Sequence, residues 1–235
     1  AGKTAFMQVW QRHEDTSLEG LAVSTDPETP WHRIMPDAPL MQIVADGKDL
    51  EDVTKSLLRG DNDYIILEEM RDAAAFKLAV DVTSIGTARS KATIHAGDAH
   101  DIPYKMASAI SAKYGGDLKP LIARIFRSFN YVIELYQLPS DRSRKRLKGI
   151  SEYRYDPISA TVSIHTICRY DETSKRWRWK YDIGEDKKNM GKLQPDEFKK
   201  MEEMLKMLES KNPIMENTVI YPRYYGDRGG NKDDR

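Results

Sequence analysis

Cysteine is almost absent from the 235-residue chain, and its scarcity removes two classes of protein from consideration. A single cysteine, Cys168, cannot form an internal disulfide, so the chain is not a disulfide-stabilised scaffold. It also cannot build a zinc site from clustered cysteines. A reducing compartment fits this composition, and we expect a cytoplasmic protein.

Long apolar runs and an excess of charge of either sign are absent as well. No apolar run approaches the roughly 20 residues that a membrane-spanning helix needs. Lys+Arg and Asp+Glu both number 37, so no overall field attracts nucleic acid or an anionic membrane. The length allows one large domain or two small ones, with ample material for a buried core.

A short apolar run at residues 64–67 ends abruptly at Glu68 and Glu69. The run is too short for a helix and is rich in strand formers, so it predicts a buried strand. In an open α/β sheet the carboxyl ends of the strands face the ligand crevice. Side chains alternate along a strand, so only one of the two carboxylates is expected to reach that crevice.

A helix and another strand follow this acidic pair. Asp72 is placed to cap a helix over residues 73–80, and residues 90–95 predict a strand that ends at His95. His95 is therefore expected at the same edge of the sheet as the carboxylates.

The first residues, Gly2-Lys3-Thr4, supply the last three positions of the phosphate-loop pattern Gly-x-x-x-x-Gly-Lys-[Ser/Thr]. Residues 3–12 predict a helix, whose free N–H groups and positive dipole end would face a phosphate. We expect the chain to begin inside this loop.

These features resemble the boxes of the secretion ATPase superfamily, which serves type II and type IV secretion, type IV pili and tight-adherence pili. Residues 2–4 resemble the end of its Walker A loop, residues 65–72 its Walker B box and residues 92–96 its histidine box. The resemblance covers residues 2–135 and continues more loosely to about residue 208. The lack of a four-cysteine zinc module favours the tight-adherence or type IV secretion branch.

The resemblance implies an α/β fold with a RecA-like phosphate-loop NTPase core. Its mostly parallel sheet, with the first strand missing, is followed by an antiparallel β meander and a C-terminal helix. We expect the partial core at residues 1–138, with the strand at 131–135 in the core. The meander and amphipathic helix, packed on the core, are expected at 139–210, and an extended or disordered tail at 211–235.

In this family the acid after the strand, here Glu69, orients or deprotonates the water that attacks the γ-phosphate. The histidine, here His95, contacts the terminal phosphate. The resemblance thus implies catalytic roles for Glu69 and His95. A helix-capping acid and a structural histidine are the plain alternatives.

The residues that the resemblance assigns to nucleotide binding are Gly2, Lys3, Thr4, Asp26, Arg59 and Arg71, and those assigned to magnesium are Thr4 and Glu69, partly through water. Two of these residues have an ordinary alternative. Asp26 lies in a proline-containing turn and also suits a solvated surface acid. Arg59 also suits the last turn of a helix, where it complements the helix dipole.

Three positions depart from the family pattern. Thr25 stands in place of a glutamate in the acidic box, Glu68 in place of a glycine, and Thr87 in place of a histidine after Gly86. Extra charge at Glu68 is expected to alter metal binding. These departures favour an alternative function, an assembly subunit that keeps the ATPase fold without hydrolysis.

The leading interpretation is the C-terminal motor portion of an ATPase that couples ATP hydrolysis to protein export or pilus assembly. It implies ATP and Mg²⁺ as cofactors and a cytoplasmic homo-hexamer, docked on a platform protein at the inner face of the cell membrane. The chain alone is expected to be inactive, because most N–H donors of the loop are absent. Another phosphate-loop motor that acts on nucleic acid is a further alternative, although the neutral charge disfavours direct nucleic-acid contact.

Two patterns mark the second half of the chain. Residues 142–148 form a basic run that suits a solvated hairpin or a charge-guarded edge strand, with membrane or nucleic-acid contact as the alternative. The helix predicted over 195–210 carries an apolar side that includes Met204 and Leu205. We expect this side to dock on the core, with a partner-binding helix as the alternative.

Overall fold

The computed structural model describes residues 2–57, 60, 62–84, 89–138, 141–191 and 194–222. The chain divides into two compact units. The first comprises the chain as far as Gly97 together with Asp101–Ser128, and the second comprises Asp98–His100 and the chain from Phe129. Among the described residues, no helix is both long enough and apolar enough to cross a membrane.

The first unit alternates helices and strands. In chain order its elements are α1 (Lys3–Gln11), β1 (Gly20–Ser24), α2 (Trp31–Ile34), β2 (Leu40–Val44), α3 (Gly47–Leu57), β3 (Tyr64–Met70), α4 (Ala73–Ser84), β4 (Lys91–Ile94), α5 (Asp101–Tyr114) and α6 (Leu118–Ser128). The strands form a parallel sheet in the order β2-β1-β3-β4. The central strands β1 and β3 are almost entirely buried, as expected of parallel strands covered on both faces. The prediction of a parallel α/β core is confirmed.

The register of the sheet brings the strand ends together. Ser24 at the end of β1 lies opposite Glu68 of β3, and Met70 lies opposite Ile94 of β4. The pairing of β3 with β4 is irregular between Leu67 and Met70, within the acidic segment. The residues that follow β1 and β4 therefore lie at the same edge as the acidic end of β3.

One apolar cluster fixes α1 and α2 on the sheet. Met7 of α1 and Trp31 of α2 are buried with Ala22, Tyr64 and Ile66 of the central strands. The start of α1 is thereby held over the sheet by packing rather than by helix propensity alone.

The second unit is mainly antiparallel. Its elements are β5 (Tyr131–Leu138), β6 (Asp141–Asp156), β7 (Thr161–Asp171), β8 (Arg176–Trp179), α7 (Glu185–Gly191), α8 (Pro195–Lys211) and β9 (Val219–Ile220). The strands pair in the order β5-β6-β7-β8, and β9 pairs with β7. The predicted meander and C-terminal helix are confirmed, and the basic run lies on the β5–β6 hairpin.

The strand predicted at residues 131–135 was assigned to the wrong sheet. It forms part of β5, which pairs antiparallel with β6, and the division between the units falls after Ser128. The reason is that β5 and β6 are joined by a short connection, and a short connection suits an antiparallel pair whereas a parallel pair needs a crossover.

Of two further expectations for the second unit, one is wrong in part and the other is tested only in part. Met204 is 49% exposed, whereas Leu205 is buried with Ile167 and Ile183. Only part of the predicted apolar side of α8 therefore docks. In the tail, Val219–Ile220 is extended and paired with β7, and the prediction for residues 223–235 lies outside the described residues.

Candidate functional site

Helix α1 begins at Lys3, directly after Gly2 of the Gly-Lys-Thr tripeptide. Gly2 has a φ of 87°, a left-handed conformation that glycine adopts without a steric cost. The carbonyl oxygen of Gly2 accepts the Phe6 N–H at 2.9 Å, so the helical hydrogen bonding starts there. The N–H groups of the first turn, including those of Lys3 and Thr4, have no partner within the helix and suit an anion.

Three side chains that are distant in sequence meet at the edge of the sheet beside this helix start. Lys3 Nζ lies 3.1 Å from His95 Nε2. The same ring nitrogen lies 3.0 Å from Glu69 Oε1. The structure thus brings together Lys3, Glu69 and His95, the residues that the resemblance assigned to the phosphate loop, the Walker B box and the histidine box.

Glu69 is held by both its side chain and its backbone. Its Oε2 accepts a hydrogen bond from Arg71, and this bond is the main reason that the pKa of Glu69 lies below its usual value. Its backbone has a φ of 48°, which is uncommon for a residue other than glycine, and the Glu69 N–H donates to Thr93 Oγ1 at 2.9 Å. The carboxylate is therefore ionised and fixed in direction.

Lys3 is partly shielded from solvent at this edge. Burial lowers the pKa of the Lys3 ammonium and outweighs the opposing charges of Glu69 and Glu28. A partly desolvated cation next to a helix N-terminus is a suitable partner for phosphate oxygens.

Glu68 lies on the opposite face from Glu69, as the alternation of a strand predicts. Its Oε1 accepts a hydrogen bond from the indole N–H of Trp31 at 2.8 Å, and burial raises the pKa of the Glu68 carboxyl. Glu68 is only 8% exposed, so it packs under α2 and does not add its charge to the Glu69 and His95 pair.

The acidic turn after β1 supplies a residue that the sequence reasoning missed. Glu28 Oε2 accepts a hydrogen bond from the Thr4 hydroxyl at 3.2 Å. The same turn is anchored by Thr29, whose hydroxyl accepts from Gln8 Nε2 at 3.2 Å. Glu28 stands two residues after Asp26 in the acidic box, and this proximity was the available signal.

The remaining predicted residues are placed as follows. Asp26 is exposed on the turn after β1, and its charge adds to the effect of Glu69 in raising the pKa of the Arg71 guanidinium. Arg59 lies outside the described residues, as do Gly86 and Thr87. Lys105, whose ammonium donates to the His95 carbonyl, is a supporting residue that no sequence motif indicated. Thr93 lies within the histidine box, but its bond to the Glu69 N–H was not predicted.

A parallel sheet whose carboxyl edge carries a lysine at a helix start, an acid and a histidine defines an α/β core of the RecA-like NTPase class. A family model described as "Type II/IV secretion system protein" matches residues 39–168, more than half of the chain. The chain belongs to this family.

Solved structures of two ATPases share the fold. The VirB11 ATPase of the Brucella suis type IV secretion system, in complex with sulphate, is 18% identical with a TM-score of 0.54, over 66% of this chain and 47% of that chain. The Legionella pneumophila ATPase DotB is 15% identical with a TM-score of 0.50, over 74% of this chain and 44% of that chain. At these identities the likeness concerns the fold alone.

The chain thus spans less than half the length of these two structures. The pilus retraction motor PilT with bound ADP also matches, with a TM-score of 0.45 and 17% identity over 64% of this chain and 43% of that chain. No curated protein matches the chain.

Proposed function

We propose that the chain is the motor portion of a secretion or pilus-assembly ATPase, which couples ATP hydrolysis to protein export or pilus assembly. The observation that carries this proposal is the meeting of Lys3, Glu69 and His95 at the carboxyl edge of one parallel sheet. Membership of the type II/IV secretion family supports it.

In this proposal the start of α1 binds the nucleotide. The N–H groups after Gly2 and the ammonium of Lys3 hold phosphate oxygens, and Asp26, Arg59 and Arg71 complete the binding site. The arrangement uses the dipole of α1 and a partly buried cation, both of which favour negative charge.

The residues present fit a magnesium ion that accompanies the nucleotide. Thr4 offers a hydroxyl and Glu69 a carboxylate, which are the hard oxygen ligands that Mg²⁺ prefers. Among the described residues no group of three acids, histidines or cysteines could hold a metal by itself. So few protein ligands suit an ion that is bound mainly through phosphate oxygens and water. When bound, such an ion would neutralise negative charge during phosphoryl transfer.

Glu69 and His95 act on the terminal phosphate in this proposal. Glu69 orients the attacking water and accepts its proton, while His95 exchanges its contact with Lys3 for a hydrogen bond to the phosphate. The backbones of both residues are held in place: the Glu69 N–H donates to Thr93 Oγ1, and the His95 carbonyl accepts from Lys105.

We further propose that the intact protein is a cytoplasmic homo-hexamer, docked on a platform protein at the inner face of the cell membrane. The tight-adherence or type IV secretion branch remains our preferred assignment. Direct contact with nucleic acid is not part of this proposal, because the chain has equal numbers of basic and acidic residues.

The adjacent acids Glu69 and Glu68 provide a matched test. In the protein with a complete phosphate loop ahead of Lys3, we expect Glu69→Gln to lower the rate of phosphate release by about 100-fold or more, because general-base catalysis supplies factors of that order. Glu68→Gln should change the rate less than about twofold, because Glu68 points to the other face. Binding of a fluorescent ATP analogue should persist in both variants and be lost in Lys3→Ala.

Two outcomes would support other functions. Phosphate release by the wild type at the rate of Glu69→Gln would favour an assembly subunit that does not hydrolyse ATP, for which Thr25 and Glu68 are the described departures. Stimulation of hydrolysis by added DNA or RNA would favour a motor that acts on nucleic acid.

A further inference from the structure

Strands β3 and β4 pair with an extra residue on β3. Leu67 and Met70 of β3 are both paired, with two residues between them, whereas their partners on β4 are separated by Thr93 alone. Glu68 and Glu69 thus lie opposite a single residue, an arrangement that defines a β-bulge. Bulges are rare between parallel strands, and beside active sites they re-aim a side chain.

The backbone of the bulge is held by a side chain of the neighbouring strand. Glu69 has a φ of 48°, a left-handed conformation that is uncommon for a residue other than glycine. Its N–H donates to Thr93 Oγ1 at 2.9 Å. In a regular sheet such a donor would bond to a backbone carbonyl of the neighbouring strand. The Thr93 hydroxyl takes the place of that carbonyl, so the N–H that the bulge displaces is satisfied.

The bulge determines what the two acids contact. Glu68 accepts the Trp31 indole N–H at 2.8 Å, while Glu69 Oε1 lies 3.0 Å from His95 Nε2. His95 stands two residues after Thr93, so the strand that closes the bulge also carries the histidine. A regular pairing would shift Glu69 by one position along β4, and such a shift turns a side chain toward the opposite face. Without the bulge the Glu69 carboxylate would therefore leave His95.

Threonine suits the position opposite the bulge. Its hydroxyl accepts a hydrogen bond, and its branched side chain has few χ1 rotamers, so the accepting oxygen keeps a fixed direction. Valine has the same branched shape without the acceptor, and serine keeps the acceptor without the branch. Substitutions of Thr93 by these two residues separate the hydrogen bond from the packing of the side chain.

We propose that Thr93 is a positioning residue whose hydroxyl closes the bulge and thereby aims the Glu69 carboxylate at His95. This inference rests on the proposed function and adds to it the group that directs the general base. Glu69 acts on the attacking water, whereas Thr93 acts only through the backbone of Glu69.

The contact can be measured in the full chain without nucleotide, by NMR of protein that is isotope-labelled at glutamate. The signals of Glu69 are assigned by their loss in Glu69→Gln. In Thr93→Val the Glu69 amide should exchange with solvent about tenfold faster or more, because its N–H has lost its acceptor. It should stay protected in Thr93→Ser and in the control Thr54→Val, which removes a hydroxyl that donates to the Leu50 carbonyl at 2.7 Å in α3.

The carboxyl group of Glu69 supplies a second signal. In the wild type the hydrogen bond from Arg71, aided by the charges of His95 and Lys3, holds the pKa of Glu69 below its ordinary value of 4.5. In Thr93→Val this pKa should rise toward 4.5, because the displaced carboxylate leaves these cations. Thr93→Ser should keep the low pKa. A pH titration of the carboxyl carbon signal measures both.

Hydrolysis tests the link to the proposed function. In the protein with a complete phosphate loop ahead of Lys3, Thr93→Val should lower kcat about tenfold or more and leave KM for ATP within about twofold, because a displacement of about 1 Å is costly for a reacting group while the nucleotide contacts remain. Thr93→Ser should recover most of kcat, and Thr54→Val should match the wild type.

An exchange rate and a pKa of Glu69 that are the same in Thr93→Val and the wild type would overturn this inference, as would equal kcat in the two proteins. A loss of kcat in Thr93→Ser as large as that in Thr93→Val would also contradict it, because packing rather than the hydroxyl would then be responsible. Failure of the proposed function gives a different result: the wild type would not bind the fluorescent ATP analogue, while the NMR measurements would still report on the bulge.

Discussion

At the scale of single residues, Glu68 and Glu69 have opposite environments although they are neighbours in the chain. Glu68 is buried beneath α2, and burial raises the pKa of its carboxyl. Glu69 faces cations, chiefly Arg71, that lower the pKa of its carboxyl. The two side chains leave the end of β3 in different directions, Glu68 toward Trp31 and Glu69 toward Arg71 and His95. One acid thus supports the fold and the other is available for chemistry.

Trp31 provides a test of the structural role of Glu68. Trp31→Phe removes the indole N–H that donates to Glu68 and leaves a buried acceptor without its partner. We expect a loss of about 1–3 kcal/mol in the free energy of unfolding by urea, the cost of an unsatisfied buried group. Glu68→Gln, which keeps the accepting oxygen, should cost less than Trp31→Phe, and Trp10→Phe on the exposed side of α1 should be nearly neutral. Equal losses in Trp31→Phe and Trp10→Phe would show that the hydrogen bond contributes nothing.

At the scale of elements, helix starts and helix faces determine what each segment contacts. Asp72 caps α4 directly after the acidic segment of β3, since its Oδ1 accepts the Ala75 N–H at 2.9 Å. Helix α8 uses Leu205 to pack against the second sheet, while its neighbour Met204 is half exposed. Local sequence decides where these helices start, and packing decides which of their apolar residues are covered.

The cap of α4 can be tested with two substitutions at one position. Asp72→Ala should lower the free energy of unfolding by about 1 kcal/mol, because a side-chain cap of this kind is worth that much. Asp72→Asn retains an accepting oxygen and should be close to the wild type. Chemical unfolding followed by circular dichroism measures both, and an unaffected Asp72→Ala variant would contradict the capping role.

The docking face of α8 offers adjacent residues with different burial. Leu205→Ala should lower the free energy of unfolding by about 2–5 kcal/mol, since it deletes a buried side chain and leaves a cavity. Met204→Ala should lie within about 0.5 kcal/mol of the wild type, as expected of an exposed position. The same unfolding measurement compares them, and similar losses would mean that α8 docks through a different face.

At the scale of the whole molecule, the chain consists of a parallel α/β unit and an antiparallel unit, each with its own polar and apolar contacts. The first unit carries the candidate nucleotide site. The second unit contains a network in which Asp182 accepts from His165 Nδ1 at 2.8 Å and pairs with Arg154 at 2.9 Å. This network links β6 and β7 to the segment before α7.

The network predicts how acid affects the second unit. Burial alone would raise the pKa of Asp182, but the hydrogen bond from His165 and the charge of Arg154 outweigh it and hold the pKa below the usual 3.8. A carboxyl whose pKa is lowered by folding stabilises the fold at pH values above its usual pKa of 3.8. This stabilisation is lost as the pH falls through the lower pKa that the carboxyl has in the folded state. Asp182→Asn should therefore lower the melting temperature at pH 7, and the difference from the wild type should shrink below about pH 3.8.

Thermal unfolding at pH 7, 5 and 3 measures this effect in the full chain. Glu203→Gln, an exposed position on α8, is the control and should show no comparable change with pH. A difference between Asp182→Asn and the wild type that stays constant down to pH 3 would contradict the proposed linkage.

The sequence by itself determined several local elements and indicated the residues of the candidate site. An apolar run marked β3, Asp72 marked the start of α4, and the three boxes indicated Lys3, Glu69 and His95. These features depend on residues that are close together in the chain, where periodicity and capping act directly. The opposite directions of Glu68 and Glu69 also followed from strand alternation.

Only the tertiary structure decided which distant groups share a partner. It placed β5 in the antiparallel sheet, set Trp31 against Glu68, and brought Thr4 to Glu28 and Arg71 to Glu69. Strand pairing and side-chain contacts of this kind depend on how whole elements pack and on which polar groups each packing leaves to be satisfied. No local sequence pattern encodes these contacts, because they depend on how the elements pack in the folded chain.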